Sequence, residues 1–144
     1  MKDLSLAQYR ALAEFRYQIR KFLYFSEGKA RSYGLEPRQH QLLLAVKGLP
    51  DGRRPTIGEL AARLHLKHHS TVELVNRLEA LGAVTRSPGK DDRREVIVRL
   101  SGAGANLLRK LSWEHRLELD TAGPELARAL RAVTRTSRRN QKSG

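Results

Sequence analysis

Apolar side chains recur along most of this chain at intervals of three and four, and in one short stretch at intervals of two. Leu12, Phe15, Ile19 and Phe22, with Leu23 beside them, set a helical period over residues 4–33. Arg10, Arg16, Arg20 and Lys21 take the other faces, and Gly34 ends the run as a helix C-cap would. A long helix with so sparse an apolar seam needs a partner to cover it, and a second copy of the chain is one candidate. Glu36-Pro37 opens a second helix with proline in its first turn. Leu42, Leu43 and Val46 supply its apolar side, and Gly48 closes it. After a turn-rich loop, LPDGRRP at 49–55, Thr56-Ile57-Gly58-Glu59 has the capping-box pattern. It starts a third helix with Leu60, Ala61 and Leu64 inward. A turn at Leu66-Lys67 leads to a fourth helix, about 68–81, with Leu74, Val75, Leu78 and Leu81 on its buried side and Gly82 as its stop.

The period then changes from 3.6 to 2. Residues 83–88, AVTRSP, read as a short strand, Gly89 to Asp92 as a turn, and 94–100 as the return strand of a β-hairpin. On the return strand Val96, Val98 and Leu100 point one way, and Glu95, Ile97 and Arg99 the other. Ser101 caps a further helix near 102–120, Gly123-Pro124 breaks it, and a last helix covers about 125–136. Residues 137–144 read as a basic tail.

The sequence has 144 residues, which suits one domain with a modest core. Its 28 Lys+Arg stand against 15 Asp+Glu, giving a net charge of +13. A field of that sign favours polyanions, nucleic acid before an anionic membrane surface, although part of the arginine surplus also fits codon bias and solvated surface. Cysteine is absent, which excludes disulfides, thiol switches and Cys-based zinc sites and fits a reducing cytoplasm. No apolar run reaches the length of a membrane span, so no membrane partner is expected. Nucleophile elbow, phosphate-binding glycine loop and paired carboxylates are all missing, so no enzyme and no cofactor are expected. His65, His68 and His69 lie across a turn with no carboxylate to complete a tetrahedral set, and no metal site is assigned to them.

Helix, helix, turn, helix, hairpin is the order of a winged helix-turn-helix: mainly α, with a small β-hairpin wing. In this arrangement the second helix of the pair enters the major groove, where base edges are distinguishable. The hairpin tip extends over the backbone towards the minor groove. Several motifs carry a family resemblance. Asp92-x-Arg94, five residues, then Leu100-Ser101 resembles the wing signature of the MarR family of multiple-antibiotic-resistance regulators. Leu35-Glu36-Pro37, Gly58 to Leu64 and Asn76-Arg77-Leu78 resemble other parts of the same pattern, over roughly residues 35–110. The resemblance implies a cytoplasmic, homodimeric transcription regulator of double-stranded DNA, most simply a repressor that reads a pseudo-palindromic operator. It implies dimerisation through helices 4–33 and 102–136, with 35–101 as the DNA-binding region. It also implies release by a small aromatic or phenolic ligand.

The residues assigned to DNA are Lys67, His68, His69, Ser70, Glu73 and Arg77 on the fourth helix and Arg86, Lys90, Arg93 and Arg94 on the hairpin. Lys67-His68-His69-Ser70-Thr71 stands where the family often has a cluster of small hydroxyl residues. The histidines donate to phosphates or base edges, more favourably when protonated. Glu73 either accepts from a cytosine amino group or is a solvated residue that tunes specificity by repulsion. Arg77 contacts a phosphate or pairs with a wing carboxylate. Arg94 is either the minor-groove arginine or one half of an ion pair with Asp91 or Asp92, and Arg93 is placed to exchange roles with it. Asp92 structures the wing by orienting an arginine. His40 and Trp113 are candidates for a ligand pocket, against the plainer reading of core or interface packing. The runner-up function is a sequence-tolerant architectural DNA-binding protein, which the charge alone would suit.

Overall fold

A computed structural model describes the backbone of residues 1–141 and the side chains of residues 1–135. The elements are α1 (Leu6–Ser32), α2 (Pro37–Lys47), α3 (Ile57–Leu64), α4 (His68–Ala80), β1 (Val84–Pro88), β2 (Val96–Leu100) and α5 (Gly102–Gln141). The chain divides into two compact units, one of residues 1–28 and 113–144, the other of residues 29–112. No helix among the described residues is long and apolar enough to cross a membrane.

The unit of residues 29–112 holds the helix-turn-helix and the hairpin. Its core gathers Leu42 and Leu43 from α2, Leu60 from α3, Leu74, Val75 and Leu78 from α4, Val84 and Val98 from the hairpin, and Leu108 and Leu111 from α5. Full burial of each such leucine stabilises the fold by about 2 kcal/mol. The helix ends follow local rules. Glu36 and Gln39 form a reciprocal capping box at the start of α2. At α3 the Thr56 side chain accepts from the Glu59 amide, as the sequence pattern predicts. The Glu59 carboxylate, however, turns to Arg63 at 3.3 Å and Arg53 at 3.6 Å.

Three helices in this unit end with the same pair of bonds, one amide reaching back across the last turn and the next reaching one residue further. Gly34 donates to Arg31 and Leu35 to Ala30. His65 donates to Ala62 and Leu66 to Ala61. Gly82 donates to Glu79 and Ala83 to Leu78. Each terminating residue has positive φ, and His65 at φ 52° is the one that carries a side chain into that region. Leu81, expected on the buried side of α4, is instead 58% exposed. The helix has already turned at that point, and Ala83 takes the inward position.

β1 and β2 pair antiparallel, with Val84 opposite Leu100 and Pro88 opposite Val96. Ile97, which the alternation places on the side of Glu95 and Arg99, is buried. It lies between Ser87 of β1 and Thr56, which bridges to the other edge of β2, and the Val98 amide donates to the Pro55 carbonyl. The run before α3 thus pairs along the second edge of β2 at Ile97 and Val98. At the hairpin base, Ser101 does what its sequence position suggests. Its hydroxyl donates to the Gly82 carbonyl at 2.6 Å and accepts from the Gly104 amide at 3.0 Å, so one side chain joins the end of α4 to the start of α5.

In the unit of residues 1–28 and 113–144, Ser5 and Gln8 exchange hydrogen bonds in a capping box at the head of α1. Phe22 and Phe25 meet the His115 ring edge-on, and the ring nitrogen Nε2 lies 2.7 Å from the Ser26 hydroxyl. α5 does not break at Gly123-Pro124 but continues as one helix to Gln141. A proline inside a helix removes one backbone bond and crowds one carbonyl, a local penalty of about 3 kcal/mol that the rest of a long helix can absorb. The helix therefore runs beyond the expected end at 136, and the side chains of the expected basic tail at 137–144 lie outside the described residues.

Candidate nucleic-acid interface

The turn between α3 and α4 decides where the front of α4 points. His65 stops α3, Leu66 tucks towards the core, and Lys67 opens α4 with extended backbone and no side-chain cap bond. The first-turn amides of α4 are left open to an anion. Thr71, fully buried, returns its hydroxyl to the Lys67 carbonyl at 3.0 Å and fixes the face that α4 presents. Lys67, His68, His69, Glu73 and Arg77 are exposed on it, and Ser70 is half-buried. Among the described residues, none of these five charged or imidazole side chains takes part in an ion pair.

The wing is held differently. Asp92 accepts from the Arg94 backbone amide at 2.9 Å and from Arg94 Nε at 3.3 Å. Of the two readings of Arg94 the ion pair with Asp92 is present, and the side chain is 94% exposed. The turn is tight. A Cβ on Gly89 would stand 2.6 Å from the Asp92 carbonyl oxygen, and the Gly89 amide donates to the Glu95 carbonyl at 3.0 Å. Lys90 and Arg93 are exposed at this tip. Arg86, assigned to DNA, sends Nε and Nη2 to the two carboxylate oxygens of Glu79 on α4, at 3.3 and 3.1 Å. Arg77 makes no such pair with a wing carboxylate among the described residues.

A concave surface of about 360 Å³ opens between the start of α3, the start of α4 and the wing. It brings together three of the assigned residues, His68, Arg86 and Arg94, with Thr56, Val72 and Glu95 among its other walls. Lys67, His69, Ser70, Glu73, Arg77, Lys90 and Arg93 do not line it. Of the two pocket candidates, His40 is buried on α2 in the helix-turn-helix unit, and Trp113 is exposed on α5 and belongs to the other unit. No group of three or more potential metal ligands comes together among the described residues.

Sequence reasoning missed one contact of the wing. Arg54, in the loop before α3, makes a two-pronged pair with Glu95, Nη1 to Oε2 at 2.6 Å and Nη2 to Oε1 at 2.8 Å. The hydrogen bond to Glu95, and then its Coulomb attraction, raise the Arg54 guanidinium above its ordinary value, with smaller help from Asp91 and Asp92 against a lowering by burial. The two residues are 41 positions apart. No local pattern links a loop arginine to a strand glutamate at that separation.

A helix pair with an exposed basic second helix, followed by an arginine-tipped hairpin, defines a winged helix-turn-helix, a DNA-binding fold. Residues 33–95 match the family model described as MarR family. Solved structures extend the likeness of fold. AbsC, a MarR family transcriptional regulator from Streptomyces coelicolor, is similar with a TM-score of 0.73 at 19% identity, over 96% of this chain and 99% of that one. MepR of Staphylococcus aureus, in a complex with DNA, gives 0.62 at 15% identity over 83% and 82%. CouR from Rhodococcus jostii, bound to p-coumaroyl-CoA, gives 0.60 at 21% identity over 78% and 83%. No curated protein matches the sequence.

Proposed function

We propose that this chain is a homodimeric, sequence-reading repressor of transcription in the cytoplasm, with no catalytic role. The observation that carries this reading is the concave surface on which His68 of α4 and Arg86 and Arg94 of the wing meet. α4 would read base edges in the major groove, with Lys67, His68, His69 and Ser70 at its leading end and Arg77 further along. Arg94 would enter the adjacent minor groove, with Lys90 and Arg93 on the flanking phosphates. Asp92 would aim Arg94 without touching DNA.

A homodimer is supported by the unit of residues 1–28 and 113–144, which exposes Leu6, Tyr9, Tyr17, Trp113 and Leu117 at half or more of their surface. Apolar area of that kind calls for a covering partner. A two-fold dimer would read an inverted repeat with half-site centres about one helical turn apart. Release by a small aromatic ligand belongs to the same reading, with His40 and Trp113 as the first positions to substitute. A ligand acts only if it prefers a conformation with the wrong spacing between the two recognition helices.

The test is selection from random duplex DNA at about 150 mM salt, where phosphate neutralisation alone no longer dominates. An enriched inverted repeat is the expected outcome. Tight binding without enrichment would favour the second reading, a sequence-tolerant architectural protein, which the net charge of +13 supports.

A further inference from the structure

The wing leaves the body of the helix-turn-helix as a two-stranded ribbon, and a ribbon of two strands is a weak unit by itself. Backbone pairing to the body reaches only as far as the Thr56–Ile97 bridge and the bond from Val98 to Pro55. Glu95 and the turn below it lie beyond that point. There the connection passes to side chains. Arg54 grips Glu95 from the loop that carries Pro55, and Arg86 of β1 grips Glu79 from α4. Each strand of the ribbon is thus tied to a different element of the body by a fork of two bonds, the geometry in which guanidinium and carboxylate match best.

Neither pair is buried. The Arg54 and Glu95 side chains are 55% and 29% exposed, and those of Arg86 and Glu79 are 37% and 41% exposed. Exposed pairs add little to global stability, so their consequence is geometric. They hold the turn that carries Arg94, one residue from Glu95, at a set distance from α4. Pairing also keeps the Glu95 carboxylate from competing for Arg94 or repelling a phosphate.

We infer that Arg54 is a positioning residue for DNA recognition, a latch that acts through Glu95 to set the wing against α4, with Arg86–Glu79 as the matching latch on the other strand. This rests on the DNA-binding reading for its purpose, but the latch itself is a property of the free protein. Two measurements on the full chain separate them. Hydrogen exchange of the wing amides, from Gly89 to Val98, needs no DNA. Arg54→Gln and Glu95→Gln should each speed that exchange at least about fivefold, with the core amides of α2 and α4 unchanged. The exchanged pair, Arg54→Glu with Glu95→Arg, should restore most of the protection.

Titration of the selected duplex against salt supplies the second readout. Arg54→Gln should weaken binding about fivefold with the slope of log affinity against log salt unchanged, because no phosphate contact is lost. Unaltered wing exchange in Arg54→Gln would overturn the latch. So would a slope smaller by about one, which would make Arg54 a phosphate contact in its own right. Wild-type protein that shows latch-dependent exchange yet binds no duplex would remove the DNA reading and leave the latch standing.

Discussion

The front of α4 and two arginines of the wing, Arg86 and Arg94, carry the same kind of charge and hold it in opposite ways. On α4, Lys67, His68, His69 and Arg77 extend from a rigid helix without an ionic partner among the described residues. On the wing, Arg86 and Arg94 are engaged with Glu79 and Asp92, and Glu95 is engaged by Arg54. The helix needs no further constraint, since its backbone already fixes where each side chain starts. The ribbon has little rigidity of its own, so its position must be set by carboxylates. A basic surface therefore divides into charge that is free to adapt and charge that is pre-aimed. The second kind is invisible to any count of arginines.

The largest effect on this contrast should come from the frame that both regions share. A Cβ at Gly104 would overlap the carbonyl oxygen of Ala83, where α5 starts against the end of α4 and the hairpin base. Gly104→Ala should lower stability by about 3 kcal/mol, seen as a reduced urea midpoint, and should damage helix and wing contacts together. Undiminished stability would mean that the two regions do not depend on this junction.

Next comes the wing tip. Arg94→Ala should weaken operator binding at least about tenfold, or about 1.4 kcal/mol, while the melting curve by circular dichroism stays in place. Collapse of the fold would instead give Arg94 a structural role and erase the distinction between aimed and free charge. On α4 the expected loss is smaller and of another kind. Lys67→Ala should cost about threefold on every sequence and reduce the salt slope by about one. A loss confined to one sequence would make Lys67 a base reader.

The smallest effect concerns the turn that orients α4. His65 holds φ 52° with a side chain present. His65→Gly should raise the unfolding free energy by about 0.5 kcal/mol in urea titration, because glycine adopts that region without strain and offsets only part of the gain through its looser unfolded state. A loss of stability would show that the imidazole contributes contacts which outweigh the strain.

Much of this was legible in the chain itself. The 3.6-residue period located α1 to α4, Pro37 and Thr56 marked helix starts, and Gly34 and Gly82 marked helix ends, because capping is a contest among neighbours within one turn. The alternation at 94–100 located the hairpin, and Ser101 announced the start of α5. The readings that changed turned on a distant partner in one case and on where a helix ends or continues in two. Ile97 is buried where residues 55–56, far back in sequence, pair along the second edge of β2. Leu81 is exposed because α4 has already turned. α5 passes through Pro124 because one missing bond does not outweigh a long helix.

By itself, then, the sequence determined the order of elements from α1 to the hairpin, most of the faces they bury, the basic helix and the arginine-tipped hairpin, since each follows from residues within a turn or a strand of one another. Only the tertiary structure decided which of those arginines are free, which are held, and by what. A guanidinium chooses its carboxylate by distance in space. Arg54 and Glu95 become neighbours only after α3, α4 and β1 have folded between them.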